Sequence, residues 1–198
     1  MGVAGSETSS MSTSYSEFAA RVRVPSGILL GLIFIVFSQP TPSRLIAGSV
    51  VALAGLSLRA WAAGSLAKNQ RLATGGPYAY VRNPLYLGSL LAGTGYCFAG
   101  GRWWFFVLLG AFFGALYWPV IQREATHLRE LFPDDYPKYA SSVPAFLPCF
   151  GASCRQSGVP ENIFGSGFSW QLYWKNREYE AFAAFLIIVV ILSVKLYL

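Results

Sequence analysis

Two apolar runs, "PLYLGSLLAGTGYCFAG" from Pro84 to Gly100 and "WWFFVLLGAFFGALYWPVI" from Trp103 to Ile121, are separated by little more than Gly101 and Arg102. A hydrocarbon layer about 30 Å thick asks for roughly 20 apolar residues of helix. Inside it, helices and closed barrels alone satisfy every backbone amide. A pair of runs this close is therefore expected to fold as an antiparallel helical hairpin, with Gly100, Gly101 and Arg102 as its tight connection. Three more apolar runs stand at Ser26 to Ser38, Leu45 to Ala67 and Ala181 to Val194, and 54% of the residues are hydrophobic against 12% charged. No segment sustains period-two alternation, so no strand is expected. The expected fold class is all-α, a multi-pass transmembrane helical protein of about five spans. Residues 1–25 read as a polar tail and interfacial segment, 26–148 as the membrane core, and 149–198 as a polar connector plus a C-terminal transmembrane helix.

Orientation follows from where Lys and Arg fall, because cytoplasmic flanks are enriched in them. A cytoplasmic N-terminus places Arg21, Arg23, Lys68, Arg71, Arg82, Arg123, Arg129, Lys138, Arg155, Lys175 and Arg177 inside. Arg44, Arg102 and Lys195 then fall outside, and Arg59 lies within a span. The net charge of +6 is spread over membrane flanks rather than gathered on one soluble face, which argues for anionic headgroups and against nucleic acid. Cys97, Cys149 and Cys154 are too few for a disulfide framework and are expected to be structural or incidental.

"GGPYAYVRNPLYLGS", Gly75 to Ser89, leads into the third run. Gly75, Gly76 and Pro77 make a turn, Asn83 is a good N-cap, and Pro84 suits the first helical position. Arg82 remains unexplained, because a cation just before a helix N-terminus meets the unfavourable end of the macrodipole. An anion bound there resolves the conflict, held by free amides and a guanidinium. Tyr78, Tyr80 and Tyr86 nearby can take a cation on their ring faces. A carboxylate together with a cation describes a zwitterionic ligand.

"VIQREATHLRELFPDDYPKYASSVPAFLP", Val120 to Pro148, leaves the fourth run and turns amphipathic, with Leu128, Leu131 and Phe132 at helical spacing. Glu130, Asp134 and Asp135 read as a solvated flank, and Glu124, closest to the hairpin, as a ligand contact. His127, the single histidine, reads as interfacial, and no metal site is expected. Arg59 is expected to pair with a carboxylate such as Glu124 or with the ligand, since a charge within a span is functional by default. Gly110 and Gly114 are expected to serve close helix packing, and Pro119 to kink the fourth span. "GTGYCF", Gly93 to Phe98, lacks the third glycine of a dinucleotide fingerprint and lies inside a span.

Taken together, "GPYAYVRNPLYLGS", Arg123–Glu124, "LRELF", Tyr136 and Tyr139, "VPAFLP" and "LRAWAAG" with Arg59 resemble the isoprenylcysteine carboxyl methyltransferase and phospholipid methyltransferase superfamily over about Gly55 to Pro148. The chain departs from the common pattern at Asn83 (often His), Ala125 (often a second Glu), Pro133 (often Gly) and Ala145 (often Arg). The resemblance implies an integral membrane enzyme that uses S-adenosylmethionine at the cytoplasmic face, with a lipidic or small apolar methyl acceptor arriving from the bilayer. It implies Gly76, Pro77, Tyr78, Arg82, Asn83, Pro84, Tyr86 and Glu124 as cofactor-binding residues and Arg82, Glu124 and Arg59 as catalytic ones. Two other readings stand beside it: a membrane reductase of the sterol type using NADPH, against which Gly88–Ser89 lacks an acidic residue, and a non-catalytic membrane scaffold. Because the resemblance ends near Pro148, removal of residues 151–198 is expected to leave cofactor binding largely intact.

Overall fold

A computed structural model of the chain describes residues 18, 21, 22, 25–67, 71–149 and 168–197. The expected polar tail up to residue 17, Arg23, Lys68, and the connector through residue 167 with Cys154 and Arg155 lie outside these. In chain order the helices are α1 (Pro25–Phe37), α2 (Pro42–Ser65), α3 (Pro84–Gly100), α4 (Trp104–Leu131), α5 (Asp135–Ser142), α6 (Trp170–Lys175) and α7 (Tyr179–Lys195). No strand occurs among the described residues. By length and composition α2 and α4 can cross a membrane. Helices α3 and α7 have 17 residues each, or ~26 Å at the rise of an α-helix.

Local signals set the ends. Thr41 accepts a hydrogen bond from the Arg44 amide at the start of α2, where Pro42 takes the first helical position. Pro84 opens α3, and Gly101, in the left-handed region at φ 72°, closes it by donating to the Cys97 and Phe98 carbonyls. The bounds of α3 are the ones the sequence suggests, whereas α2 starts three residues before the expected Leu45 and ends two before Ala67.

Helix α4 joins the fourth apolar run and the amphipathic stretch after it into a single helix of 28 residues. A π-helical turn, Phe113–Tyr117, interrupts it, and the Trp118 amide reaches back to the Phe113 carbonyl. Pro119 follows two residues later and has no amide to donate. The widened turn lets the helix continue past it where a regular one would break.

The core of the packing is the antiparallel pair α2·α3. A Cβ on Gly48, Gly55, Gly88 or Gly95 would sit 2.4 to 2.7 Å from an atom of the facing helix. Ala52, Ala92 and Ala99 fill the intervening positions, all buried. Small residues thus let the two backbones nearly touch. Gly110 and Gly114 play no such part, because a Cβ on either would meet nothing within 4 Å. They lie on the outer side of α4, where no helix faces them.

Two ends are distinguishable. At one, Phe34, Leu45, Cys97, Ala99, Phe105 and Leu192 form a buried cluster. There the Lys195 ammonium donates to the Ile35, Val36 and Ser38 carbonyls at 2.7, 3.0 and 3.0 Å, closing the C-terminus of α1. Arg44 reaches the Gly101 carbonyl at the same end. The other end gathers the close of α2, the Gly76–Ala79 turn, the start of α3 and the α6–α7 corner, and carries the candidate site.

Candidate functional site

The site begins with a glycine. Gly76 has φ +60°, and a Cβ there would lie 3.0 Å from Ser65 Oγ and 3.3 Å from Trp61 Nε1. Glycine is therefore required both by conformation and by space. It lets one 3₁₀ turn, Gly76–Ala79, press against the end of α2 and bury Pro77 and Tyr78.

From Tyr78 onward the chain is held by the segment after α5. The Tyr139 hydroxyl donates to the Tyr78 carbonyl at 2.8 Å. The Arg82 amide donates to Pro144 O at 2.9 Å, and the Cys149 amide to Tyr80 O at 3.0 Å. Asn83 Nδ2 donates to Ala145 O at 3.1 Å. Asn83 occupies the N-cap position of α3, yet its side chain makes no capping bond. The expected capping role is thus corrected: the Nδ2 donation to Ala145 O holds the side chain toward the strap Pro144–Cys149, and its Oδ1 caps no amide at the start of α3. Helix α5 is itself anchored, since Tyr136, Tyr139 and Val143 are buried against Leu72, Ala125, Leu128 and Phe132.

Within this clamp Arg82 Nε is buried with no hydrogen-bond partner. A buried guanidinium nitrogen left unsatisfied is costly, and here it stands beside the uncapped start of a helix. The Tyr78 hydroxyl is pushed up from the ordinary tyrosine range by burial, then by Glu124, Glu178 and Tyr86. Both carboxylates therefore lie within electrostatic reach of one phenol. Burial also raises the Tyr139 hydroxyl, with Tyr78 adding to the effect and Arg82 opposing it. Tyr86 packs edge-on against Tyr117 at 5.7 Å. Tyr117 stacks on Phe113 at 4.9 Å, and Phe113 meets Phe146 of the strap. The π-helical turn thereby supplies an aromatic wall to the site.

Of the expected residues, Gly76, Pro77 and Tyr78 lie on the 3₁₀ turn, Arg82 and Asn83 on the link after it, and Pro84 and Tyr86 in the first turn of α3, while Glu124 is half-buried within electrostatic reach of Tyr78. Arg59 finds a carboxylate, but it is Glu178 and not Glu124. Its Nε and Nη2 donate to Glu178 Oε2 and Oε1 at 3.0 and 2.7 Å, and its Nη1 donates to Ser89 Oγ. Sequence reasoning passed over Glu178, although an arginine inside an apolar run calls for a carboxylate at the same depth. Phe146 was also missed as a wall residue. Among the described residues no group of three or more His, Cys, Asp and Glu lies together in a way that could hold a metal. Cys97 is a buried free thiol, and Cys149 is disulfide-bonded.

Residues 43–135 match the phospholipid methyltransferase family. The chain is 36% identical over 81 residues to the cobalt-zinc-cadmium resistance protein CzcN of Cupriavidus metallidurans, a match covering 41% of this chain and 37% of that protein. It is 29% identical over 140 residues to protein-S-isoprenylcysteine O-methyltransferase of Schizosaccharomyces pombe, covering 68% of this chain and 59% of that protein. The chain thus spans between about a third and three fifths of the length of these relatives. No solved structure matches it.

Proposed function

We propose that this chain, a member of the isoprenylcysteine carboxyl methyltransferase and phospholipid methyltransferase-like family, is an integral membrane methyltransferase that uses S-adenosylmethionine and acts on a lipidic or small apolar acceptor. The observation that carries the reading is Arg82 Nε, buried and unpartnered at the start of α3. The residues fit the cofactor's amino-acid end. Arg82 holds the carboxylate with the first amides of α3. Glu124 takes the ammonium, and Tyr78 and Tyr86 line the space between. When bound, S-adenosylmethionine supplies a methyl group already activated on a sulfonium. What is asked of the residues is alignment and exclusion of water. The strap from Pro144 to Cys149 and the aromatic wall of Tyr117, Phe113 and Phe146 supply both.

An apolar acceptor is favoured by the outer face of α4, where Trp118 is exposed and packs on Phe146 of that wall. The site faces the cytoplasm in this reading, because Arg44 and Lys195 lie at the opposite end from Arg59 and Arg82. The topology is five spans, with α1, α3 and α7 crossing beside α2 and α4.

Calorimetry on the purified protein in detergent tests this. S-adenosylhomocysteine is expected to bind and NADPH not to. Arg82→Ala is expected to weaken binding by about 2 kcal/mol or more, as for a desolvated charge pair left half-made. Glu124→Gln weakens it less. Tight NADPH binding without S-adenosylhomocysteine binding would promote the reductase, and binding of neither the scaffold.

A further inference from the structure

The C-terminal segment lies outside the family match, which ends at residue 135, yet it is bolted to the end of α2. The Ser169 amide donates to the Gly64 carbonyl at 2.9 Å, and Phe168 packs where a Gly64 side chain would be. Asn176 Nδ2 donates to the Ala63 and Leu66 carbonyls at 2.8 and 3.2 Å, satisfying the last turn of α2. Arg177 then adopts φ 56°, a conformation that a residue with a Cβ rarely takes. That corner presents Glu178 inward, its side chain 9% exposed, to meet Arg59. The connection does not stop at the ion pair. Ser89, which accepts from Arg59, itself donates to the Leu85 carbonyl at 2.8 Å. The Arg59 stem also fills the space above Gly88. A continuous line of contacts thus runs from carboxylate to guanidinium to hydroxyl to the first turn of α3, directly after Arg82.

We propose that Glu178 is a positioning residue for the Arg82 site: through its two-point grip on Arg59 it fixes the Ser89–Leu85 register that orients the first turn of α3. This rests on the function proposed above, and deepens it by assigning a role to a residue outside the family match; it replaces the expectation that residues 151–198 are dispensable for cofactor binding. Arg59 has the same status, acting through Ser89 and not on the reacting atoms.

Hydrogen exchange without ligand and S-adenosylhomocysteine calorimetry, run on the full chain, test it. The amides of Tyr78, Tyr80, Val81, Arg82 and Leu87 are all bonded and report on the turn. In Glu178→Gln these amides are expected to exchange at least threefold faster, and S-adenosylhomocysteine to bind about tenfold more weakly. Glu178→Asp, which keeps the charge, is expected to recover most of both. The pair Arg59→Met with Glu178→Leu replaces ions by apolar groups of similar size, which often restores stability. It is expected to unfold near the wild-type temperature and still show fast exchange at the turn and weak binding. The proposal is overturned if faster exchange is confined to residues 59–66 and 168–178. It is equally overturned if the double variant restores both binding and protection, since the pair is then packing alone. Should wild type bind no S-adenosylhomocysteine while the turn still loosens in Glu178→Gln, the methyltransferase reading falls and the positioning role stands.

Discussion

Gly95→Ala adds one methyl group at the tightest point between α2 and α3. Built on the Gly95 backbone, that carbon lies 2.4 Å from Ala52 N, 2.5 Å from Gly48 O and 2.8 Å from Ala52 Cα. All three are main-chain atoms that no rotamer change can move. Ordinary contact needs about 3.5 Å, so the helices must part by ~1 Å, and a gap of that size forfeits a quarter to a half of each dispersion contact. Overpacking of this kind typically costs about 1–3 kcal/mol. Here the cost falls at the upper end, because the Arg59–Ser89 hydrogen bond spans the same seam. The gain in helix propensity from Gly to Ala, up to ~1 kcal/mol, offsets part of it. The net expectation is a loss of about 2 kcal/mol. Gly110→Ala has the propensity gain and no clash, so it is expected to be neutral or up to ~1 kcal/mol stabilising. Reversible denaturant unfolding in one detergent, with both variants beside wild type, gives the comparison. Equal midpoints for the two variants would refute the seam as described.

Asn83→Ala removes the side-chain bond to Ala145 O and is expected to cost about 1 kcal/mol, with faster hydrogen exchange at residues 144–149 and little change in helix content. Tyr139→Phe leaves the buried Tyr78 carbonyl without its donor; a loss of about 1–3 kcal/mol should appear in the same unfolding assay. Tyr78 and Tyr139 both titrate above the ordinary value of 10.0 when folded, so their neutral forms favour the fold. That stability is fully present below the unfolded value and is lost as pH rises above it. Ultraviolet titration is therefore expected to place Tyr78 and Tyr139 among the tyrosines that ionise only on alkaline unfolding, and a Tyr139→Phe chain should show one fewer than wild type.

What the sequence disclosed was what is local. Proline at the head and glycine at the foot of α3 stated its limits, because both act through their own backbone. Gly76, Pro77, Tyr78, Arg82 and Tyr86 fall within eleven consecutive residues, so reading them together required no tertiary knowledge. Misreadings arose where a side chain chose a distant partner. Asn83 has the chemistry of a cap, but its Nδ2 donates to the Ala145 carbonyl, 62 residues away, and that bond sets the orientation of the side chain. Glu178 stands 119 residues from Arg59, and nothing in the sequence distinguishes it from Glu180 beside it. Glycines mislead for the same reason: Gly95 and Gly110 are equivalent until a facing helix is placed against one of them. The amphipathic stretch beyond Ile121 was legible as helical from its spacing, whereas the π-helical turn at Phe113–Tyr117 left no mark in the sequence.

The grip of Lys195 on the end of α1 sets a schedule for biosynthesis. Ile35 and Lys195 are 160 residues apart, so at about 5–20 residues per second the ribosome needs on the order of 10 s or more between making the carbonyl and making the ammonium that covers it. In the five-span topology proposed above, the carbonyls that Lys195 covers at the end of α1 lack that donor during the interval, close to lipid, where unsatisfied polar groups are most expensive. Chains that stop short of Lys195 leave that end of α1 without its cover, and completion of α7 supplies it. Pulse-chase of a Lys195→Met chain should reveal that dependence as a shorter lifetime in the cell, even where the purified protein folds.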